Sequence, residues 1–160
     1  MQNSQVNIYT DGSSRGNPGP GGYGTILHLN NTKHYRELSK GYRKTTNNRM
    51  ELLAVIAGLE ALTKEGLSVL VVSDSKYVVD SVSKGWVFGW EKKNFAGKKN
   101  ADLWKRFLII NRKHKVDFKW IKGHNNHPQN ERCDQLAVFA STQPNLSVDK
   151  WYEEVGSKQD

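Results

Sequence analysis

The chain has 160 residues, which corresponds to one domain, and its hydrophobic fraction of 36% is enough for a packed core and excludes wholesale disorder. Its one cysteine, Cys133, excludes an internal disulfide and a four-thiolate metal site, and its longest apolar run, residues 52–57, is too short to cross a bilayer. The first residues lack a basic stretch followed by an apolar one, so the sequence predicts no signal peptide, no membrane partner and a cytoplasmic location.

Alternating apolar and polar residues predict three antiparallel strands at the start of the chain, at residues 6–11, 23–29 and 34–42. The Gly- and Pro-rich stretch at 11–22 is interpreted as a long turn. The apolar spacing then becomes helical over residues 47–62. Residues 67–72 are nearly all apolar, which predicts a central strand covered on both faces and therefore parallel to its neighbours.

The second half of the chain predicts further helices and one more strand. Helices are expected at residues 77–82, 101–113 and 128–140, the last beginning at Pro128, and a strand at 116–120. We expect Trp86 and Trp104 in the core. The order of elements predicts an α/β fold with helices on the faces of a mixed sheet. Residues 1–143 are assigned to the domain and 144–160 to a loosely held C-terminal tail.

The positive charge is concentrated in one part of the chain. Lys and Arg outnumber Asp and Glu by 24 to 16, and residues 91–122 alone hold eleven basic and three acidic residues, an excess equal to the whole net charge of +8. A basic segment in an otherwise neutral chain indicates a polyanionic partner, most simply nucleic acid. The alternative is a solvated, Lys-rich helical face.

Four carboxylates lie where a purely structural role explains them poorly. Asp11 and Asp74 end predicted strands, and ligands of open α/β sheets bind at the carboxyl ends of strands. Glu51 lies near the start of the first helix and Asp134 one turn into the last. If a fold brought the four together, their mutual repulsion would favour a hard divalent cation, Mg²⁺ or Mn²⁺.

Each carboxylate also has a structural alternative. Asp11 fits a turn residue and Asp74 a helix N-cap, two roles that Asp commonly takes. Glu51 fits a capping box with Asn48, and Asp134 fits an exposed helix residue.

Several longer motifs resemble the ribonuclease HI family. They are TDGS (10–13), GNPGPGGYG (16–24), TTNNRMEL (45–52), SDS (73–75), VFGW (87–90), DLWKR (102–106), KGH (122–124) and NERCD (130–134). They cover about residues 5–142 in the order that the family has. The resemblance implies a ribonuclease H-like fold, with a five-stranded mixed sheet of three antiparallel and then parallel strands, flanked by helices.

The resemblance also implies an activity, an endonuclease that hydrolyses the RNA strand of RNA–DNA hybrids and leaves 5′-phosphate and 3′-hydroxyl ends. Asp11, Glu51, Asp74 and Asp134 would bind two Mg²⁺ ions, with Mn²⁺ as a substitute, one ion activating water and the other stabilising the leaving oxygen. His124, in a Gly-flanked loop, would move protons or help the product leave. His114 and His127 are expected to be structural. The enzyme would be a monomer with no obligatory protein partner.

The same mapping implies a set of substrate-binding residues. Asn17, Asn47 and Asn48 would contact RNA 2′-hydroxyls and minor-groove edges, which distinguish RNA from DNA. Thr46 resembles the family's phosphate pocket for the DNA strand, and Trp90 the aromatic residue that packs on a deoxyribose. A basic protrusion would hold the hybrid through four lysines, namely Lys92, Lys93, Lys98 and Lys99.

Three features depart from the family pattern. Lys76 stands where many members have Gln, so it lacks the amide for that contact but can still contact a phosphate. Gly89 replaces the usual Asn before Trp90, which would remove a donor from the phosphate pocket. The stretch from Trp90 to Asn100 is several residues short, which would weaken the hold of the protrusion on substrate.

Two other functions remain as alternatives. One is a hybrid-binding module without activity, which the presence of all four carboxylates and His124 disfavours. The other is a DNA recombinase or integrase nuclease, which the asparagines and the absence of an added DNA-binding domain disfavour.

Overall fold

The computed structural model describes residues 4–123 and 125–159, which are built around a five-stranded mixed sheet. The strands are β1 (Val6–Ser14), β2 (Gly19–Leu29), β3 (Tyr35–Thr45), β4 (Ser68–Ser73) and β5 (Lys115–Trp120). They lie in the order β3-β2-β1-β4-β5. The pairs β1/β2 and β2/β3 are antiparallel, whereas β4 runs parallel to β1 and to β5. The expected sheet is therefore confirmed.

Six α-helices flank this sheet within the described residues. They are α1 (Asn47–Glu60), α2 (Lys76–Ser83), α3 (Trp86–Lys92), α4 (Ala101–Asn111), α5 (Pro128–Ser141) and α6 (Lys150–Glu154), and a 3-10 turn follows at Gly156–Gln159. Among the described residues, no helix is both long enough and apolar enough to span a bilayer.

Helices α1 and α5 cover opposite faces of the sheet. The Thr25 hydroxyl donates to the carbonyl of Ala54 in α1 at 2.7 Å. A Cβ on the preceding residue, Gly24, would lie 2.2 Å from the carbonyl oxygen of Cys133 in α5. Neighbouring residues of a strand point to opposite faces, so the two helices sandwich β2. The α1 side holds the main core, in which Trp104 and Phe107 of α4 are fully buried.

The long turn expected at 11–22 is wrong, because β1 continues to Ser14 and β2 begins at Gly19. Glycines in this part of β2 do not break the strand. Gly22 lets α5 approach, since a Cβ on it would lie 2.5 Å from the carbonyl oxygen of Ala137. The connection that remains contains a cis peptide bond between Asn17 and Pro18.

The sequence also missed helix α3 and misplaced one tryptophan. Trp104 is buried as expected, but Trp86 is largely exposed at the start of α3. Helix α3 follows Gly85, whose φ of 77° lies in the left-handed region that glycine adopts without strain.

Two of the structural alternatives for the carboxylates are excluded by the observed caps. The N-cap of α1 is Thr46, whose hydroxyl accepts the N–H of Arg49, so Asn48 and Glu51 do not form a capping box. The N-cap of α2 is Ser75, whose hydroxyl accepts the N–H of Val78, so Asp74 does not cap that helix.

The segment after residue 143 is held against the domain rather than loosely. Asp149 is buried and accepts two hydrogen bonds from the guanidinium of Arg49, at 2.7 and 2.9 Å. Ser147 also bonds to the backbone of β3, because its N–H donates to the carbonyl of Gly41. Tyr152 in α6 is buried as well.

Candidate active site

Three of the four expected carboxylates meet at one edge of the sheet. The parallel pairing of β1 with β4 ends with Thr10 beside Ser73, so the next residues, Asp11 and Asp74, lie side by side where β4 ends, although β1 itself continues to Ser14. One ligand oxygen of each, together with one of Glu51, lies within 4.8 Å of the others. This spacing allows all three to coordinate one cation.

Glu51 reaches this edge because β1 touches the backbone of α1. A Cβ on Gly12 would lie 2.3 Å from the carbonyl carbon of Met50 and 2.4 Å from the backbone nitrogen of Glu51. Only glycine fits such an approach, so Gly12 sets the distance between the strand that carries Asp11 and the helix that carries Glu51. The Gly12 N–H also donates to Asp11 Oδ1 at 2.9 Å.

Burial and mutual repulsion perturb this group strongly. Burial, followed by the charges of Asp74 and Asp134, raises the pKa of Asp11 to about 8. Burial, followed by the charges of Asp11 and Asp74, raises the pKa of Glu51 well above its ordinary value. Both shifts favour the neutral acids, so three ionised carboxylates need a positive partner here.

Two oxygens of the group lack the partners that buried acceptors normally have. Glu51 Oε1 and Asp74 Oδ1 are buried and accept no hydrogen bond from the described residues. Leaving such atoms unpaired costs free energy, and a bound cation would satisfy both. Hard oxygen ligands of this kind suit Mg²⁺ or Mn²⁺, so the donor set fits the expected metal.

Asp134 is placed beside this group but not among the three mutual ligands. It lies half-buried in α5, and its charge is one of those that raise the pKa of Asp11. His124 falls outside the described residues. Gly123 abuts the group directly, because a Cβ on it would lie 2.8 Å from Asp74 Oδ2.

The other two histidines that the sequence singled out have structural contacts. His127 caps α5, its Nδ1 accepting the N–H of Asn130, and its ring packs 5.7 Å from that of Tyr9. His114 Nδ1 accepts the N–H of Leu67, and burial lowers the pKa of His114.

Sequence reasoning missed Trp120, which supports the loop of Asp74. Its indole N–H donates to the backbone carbonyl of Asp74 at 3.0 Å, and its partly exposed ring lies 4.6 Å from Lys76 Nζ. Trp120 lies in β5 and Lys76 in α2, so no local sequence motif predicts the contact between them. Trp120 therefore links Lys76 to the carboxylate edge.

Several expected substrate residues gather around the start of α1. Asn17 Oδ1 accepts the N–H of Asn47, and Asn47 Oδ1 accepts the N–H of Ser14. A pocket of about 330 Å³ opens beside them. It is lined by Asn17, Pro18, Thr46, Asn48, Lys99, Asn100, Tyr152, Gly156 and Gln159. Sequence reasoning did not include Pro18, Asn100 or the last three.

A second groove, also of about 330 Å³, lies on α3 and the loop that follows it. It is lined by Trp86, Gly89, Trp90, Lys93, Ala96 and Lys98. Lys98 Nζ lies 5.2 Å from the Trp90 ring, and the four expected lysines are exposed. Gly89 lies in this groove and is not among the residues that line the pocket at Thr46.

Comparisons with known proteins agree with this architecture. The family model described as RNase H matches residues 3–142. The Ribonuclease H of Lachnoclostridium phytofermentans is 56% identical over 158 residues, which cover 93% of this chain and 99% of that protein. The Ribonuclease H of Rippkaea orientalis is 51% identical over 157 residues, covering 95% of this chain and 94% of that protein.

Solved structures show the same fold. The crystal structure of LC9-RNase H1, a type 1 RNase H with the type 2 active-site motif, has a TM-score of 0.77 and 32% identity, and covers 96% of this chain and 81% of that one. That of LC11-RNase H1 in complex with an RNA/DNA hybrid has a TM-score of 0.61 and 26% identity, and covers 91% of this chain and 97% of that one. The chain belongs to the ribonuclease H family. It is an enzyme of that family, an endoribonuclease.

Proposed function

We propose that this enzyme hydrolyses the RNA strand of RNA–DNA hybrids with the help of divalent metal ions. The observation that carries the proposal is the group formed by Asp11, Glu51 and Asp74, whose ligand oxygens lie within 4.8 Å of one another. The relative LC11-RNase H1, which is bound to an RNA/DNA hybrid in its crystal structure, supports the substrate.

Asp11, Glu51, Asp74 and Asp134 would hold two Mg²⁺ ions, or Mn²⁺ in their place. Bound ions of this kind activate water and stabilise the leaving oxygen of a phosphodiester. The unpartnered Glu51 Oε1 and Asp74 Oδ1 supply acceptors without any rearrangement of hydrogen bonds. Burial keeps bulk water from screening these charges and so strengthens their attraction for cations.

The reaction is a hydrolysis in which water attacks phosphorus and the bond from phosphorus to the 3′ oxygen breaks. The products are a 5′-phosphate and a 3′-hydroxyl, and the leaving oxygen takes up a proton. We assign proton transfer at that stage, or release of the product phosphate, to the imidazole of His124.

Binding of the hybrid would involve residues at the start of α1 and a lysine beside the carboxylates. Asn17, Asn47 and Asn48 offer amides at the start of α1, and amides can bond the 2′-hydroxyls that mark RNA. The pocket at Thr46 would take a phosphate of the DNA strand. Lys76 lies beside the carboxylate edge on Trp120, where an ammonium can pair with a backbone phosphate.

The groove on α3 and the lysines beside it would supply the remaining contacts. Trp90 would pack against a deoxyribose, and the exposed lysines would hold phosphates, namely Lys92, Lys93, Lys98 and Lys99. We also propose a monomer in the cytoplasm that needs no protein partner, which agrees with a single, buried Cys133 and no other thiol to pair with it.

A panel of labelled substrates tests the proposal. Equal lengths of RNA–DNA hybrid, duplex DNA and duplex RNA are incubated with the enzyme, with Mg²⁺ or with a chelator. We expect internal cuts in the RNA of the hybrid alone, only with Mg²⁺, and 5′-phosphate ends on the products. Cleavage of duplex DNA at a similar rate, or of the hybrid in the chelator, would contradict the proposal.

A further inference from the structure

The C-terminal segment, residues 149–159, contacts the start of α1, although Arg49 and Asp149 lie 100 positions apart in the sequence. It follows the 3–142 region that the family model matches. Even so, it contains helix α6, the 3-10 turn at Gly156–Gln159 and the buried residues Asp149 and Tyr152. What it holds is Arg49, which lies in the first turn of α1, two residues before Glu51.

Arg49 is almost completely buried between two acids from distant parts of the chain. Its guanidinium donates to both carboxylate oxygens of Asp149, at 2.7 and 2.9 Å. It donates to both oxygens of Asp102, at 2.8 Å each. The rings of Trp151 and Tyr152 lie 5.1 and 5.9 Å from its central carbon. Most of the cage around Arg49 is therefore built by the C-terminal segment.

This cage fixes the first turn of α1. Thr45, just before that helix, also donates its hydroxyl to Asp149 Oδ2 at 2.7 Å. Asp149 thus accepts hydrogen bonds from Thr45 and Arg49, which flank residues 46–48. Thr46 and Asn48 in this stretch line the pocket at the start of α1. A buried carboxylate that accepts charge-assisted hydrogen bonds from both Arg49 and Thr45 holds their backbone in a narrow range of positions.

The same segment forms one wall of the pocket. Tyr152, Gly156 and Gln159 face a lining of amides and a hydroxyl from the rest of the domain, namely Asn17, Thr46, Asn48 and Asn100. The Asn48 side chain is exposed, and it lies at the start of a 14-residue helix. Helix N-termini with such donors favour anions.

We propose that residues 149–159 are a working part of the substrate site, forming the outer wall of a pocket for a backbone phosphate of the bound nucleic acid and positioning the first turn of α1 through Asp149. The proposal rests on the function proposed above. Gln159 touches the bound strand from the wall, and Asp149 is a positioning residue that acts through Arg49.

A pair of charge changes at Gln159 tests the wall directly. Gln159 is exposed, so both Gln159→Lys and Gln159→Glu are expected to fold. Lysine should lower the KM for the hybrid by roughly two- to fivefold and steepen its salt dependence by about 0.9, whereas glutamate should raise the KM and flatten the dependence. The control is Glu154→Gln, a single charge change at an exposed residue of the same segment that is not in the pocket.

The positioning role is tested with Asp149→Asn, which keeps the shape and removes the charge. The KM should rise roughly threefold to tenfold at saturating Mg²⁺. Glu153→Gln is the control, because it breaks the exposed ion pair of this segment with Arg43 and leaves Arg49 untouched. Both variants are assayed well below their melting temperatures.

The results separate this inference from the proposed function. Absence of hybrid cleavage by the wild-type enzyme would contradict the function itself. If the wild type cleaves the hybrid but both Gln159 variants shift the KM no more than Glu154→Gln does, the wall touches no phosphate and the inference is wrong. A lower melting temperature with an unchanged KM in Asp149→Asn would reduce that residue to a structural role.

Discussion

Replacing Asp11 by Asn is expected to stabilise the metal-free protein while it abolishes cleavage. Burial and the neighbouring carboxylates raise the pKa of Asp11 to about 8, so folding near neutral pH must either bind a proton or bury a repelled charge. Asparagine carries no charge, and its Oδ1 can still accept the N–H of Gly12. The substitution therefore removes a cost of folding and keeps the local hydrogen bond.

The size of the effect follows from the pKa. Each pH unit above the ordinary pKa of 3.8 adds about 1.36 kcal/mol to the free energy needed to fold the protein with Asp11 protonated. At pH 7 this cost of folding reaches about 4 kcal/mol. This is a ceiling, because Glu51 and Asp74 share the same repulsion. We expect a gain of about 2–4 kcal/mol in the free energy of unfolding, or roughly 5–12 °C in Tm.

The raised pKa of Asp11 also predicts how the stability of the protein changes with pH. An acid whose pKa is raised by folding binds more protons in the native state, so wild-type stability falls as pH rises from about 4 to about 8. The advantage of Asp11→Asn should therefore grow over that window and vanish below it. Thermal unfolding in a chelator at several pH values measures it, with the exposed Asp117→Asn as control. An advantage that is absent at neutral pH, or that does not change with pH, would refute the reasoning.

Three further variants are expected to separate turnover, metal binding and substrate binding. His124→Ala should slow the maximal rate by about 10²–10⁴-fold with nearly normal hybrid binding, and weak binding at an unchanged rate would instead make His124 a binding residue. Trp120→Phe keeps the ring under Lys76 but deletes the bond to the Asp74 carbonyl, so half-maximal activity should need roughly three- to tenfold more Mg²⁺, and an unaltered Mg²⁺ titration would contradict that support. The third variant has alanine at four exposed lysines in and beside the groove on α3, namely Lys92, Lys93, Lys98 and Lys99. It should bind the hybrid more weakly at an unchanged maximal rate, and its slope of log affinity against log salt should be flatter by roughly 2 to 4. An unchanged slope would place the groove outside the substrate site.

The sequence predicted the sheet well because each strand carries its own pattern. The sequence also placed Asp11 and Asp74 at strand ends; they do lie together where the pairing of β1 with β4 stops, although β1 itself continues to Ser14. The glycines of residues 19–22 were misinterpreted because glycine is typical of both turns and close packing, and here Gly22 makes room for α5 while Gly19 and Gly21 lie against neighbouring backbone. Helix α3 escaped detection because it is short and contains Gly89.

The parts of the site that the sequence did not predict depend on contacts between distant residues. The bond from Asp149 to Arg49 spans 100 positions and that from Trp120 to Asp74 spans 46, so no local spacing reports either. Glu51 was singled out by its place at the start of the first helix, and the family resemblance implied its role as a metal ligand. The reason it reaches Asp11 is the missing Cβ of Gly12, which only the packed structure makes visible.

The most direct test of the proposed metal site is the rate of hybrid cleavage as Mg²⁺ is varied, for the wild type, Asp74→Asn and Asp117→Asn. Asp74 offers a buried, unpartnered oxygen to the ion, whereas Asp117 lies exposed on β5. We predict Mg²⁺-dependent cleavage by the wild type and by Asp117→Asn, and a loss of at least about 100-fold in Asp74→Asn that added Mg²⁺ does not restore. Near-normal turnover by folded Asp74→Asn at saturating Mg²⁺ would contradict the account.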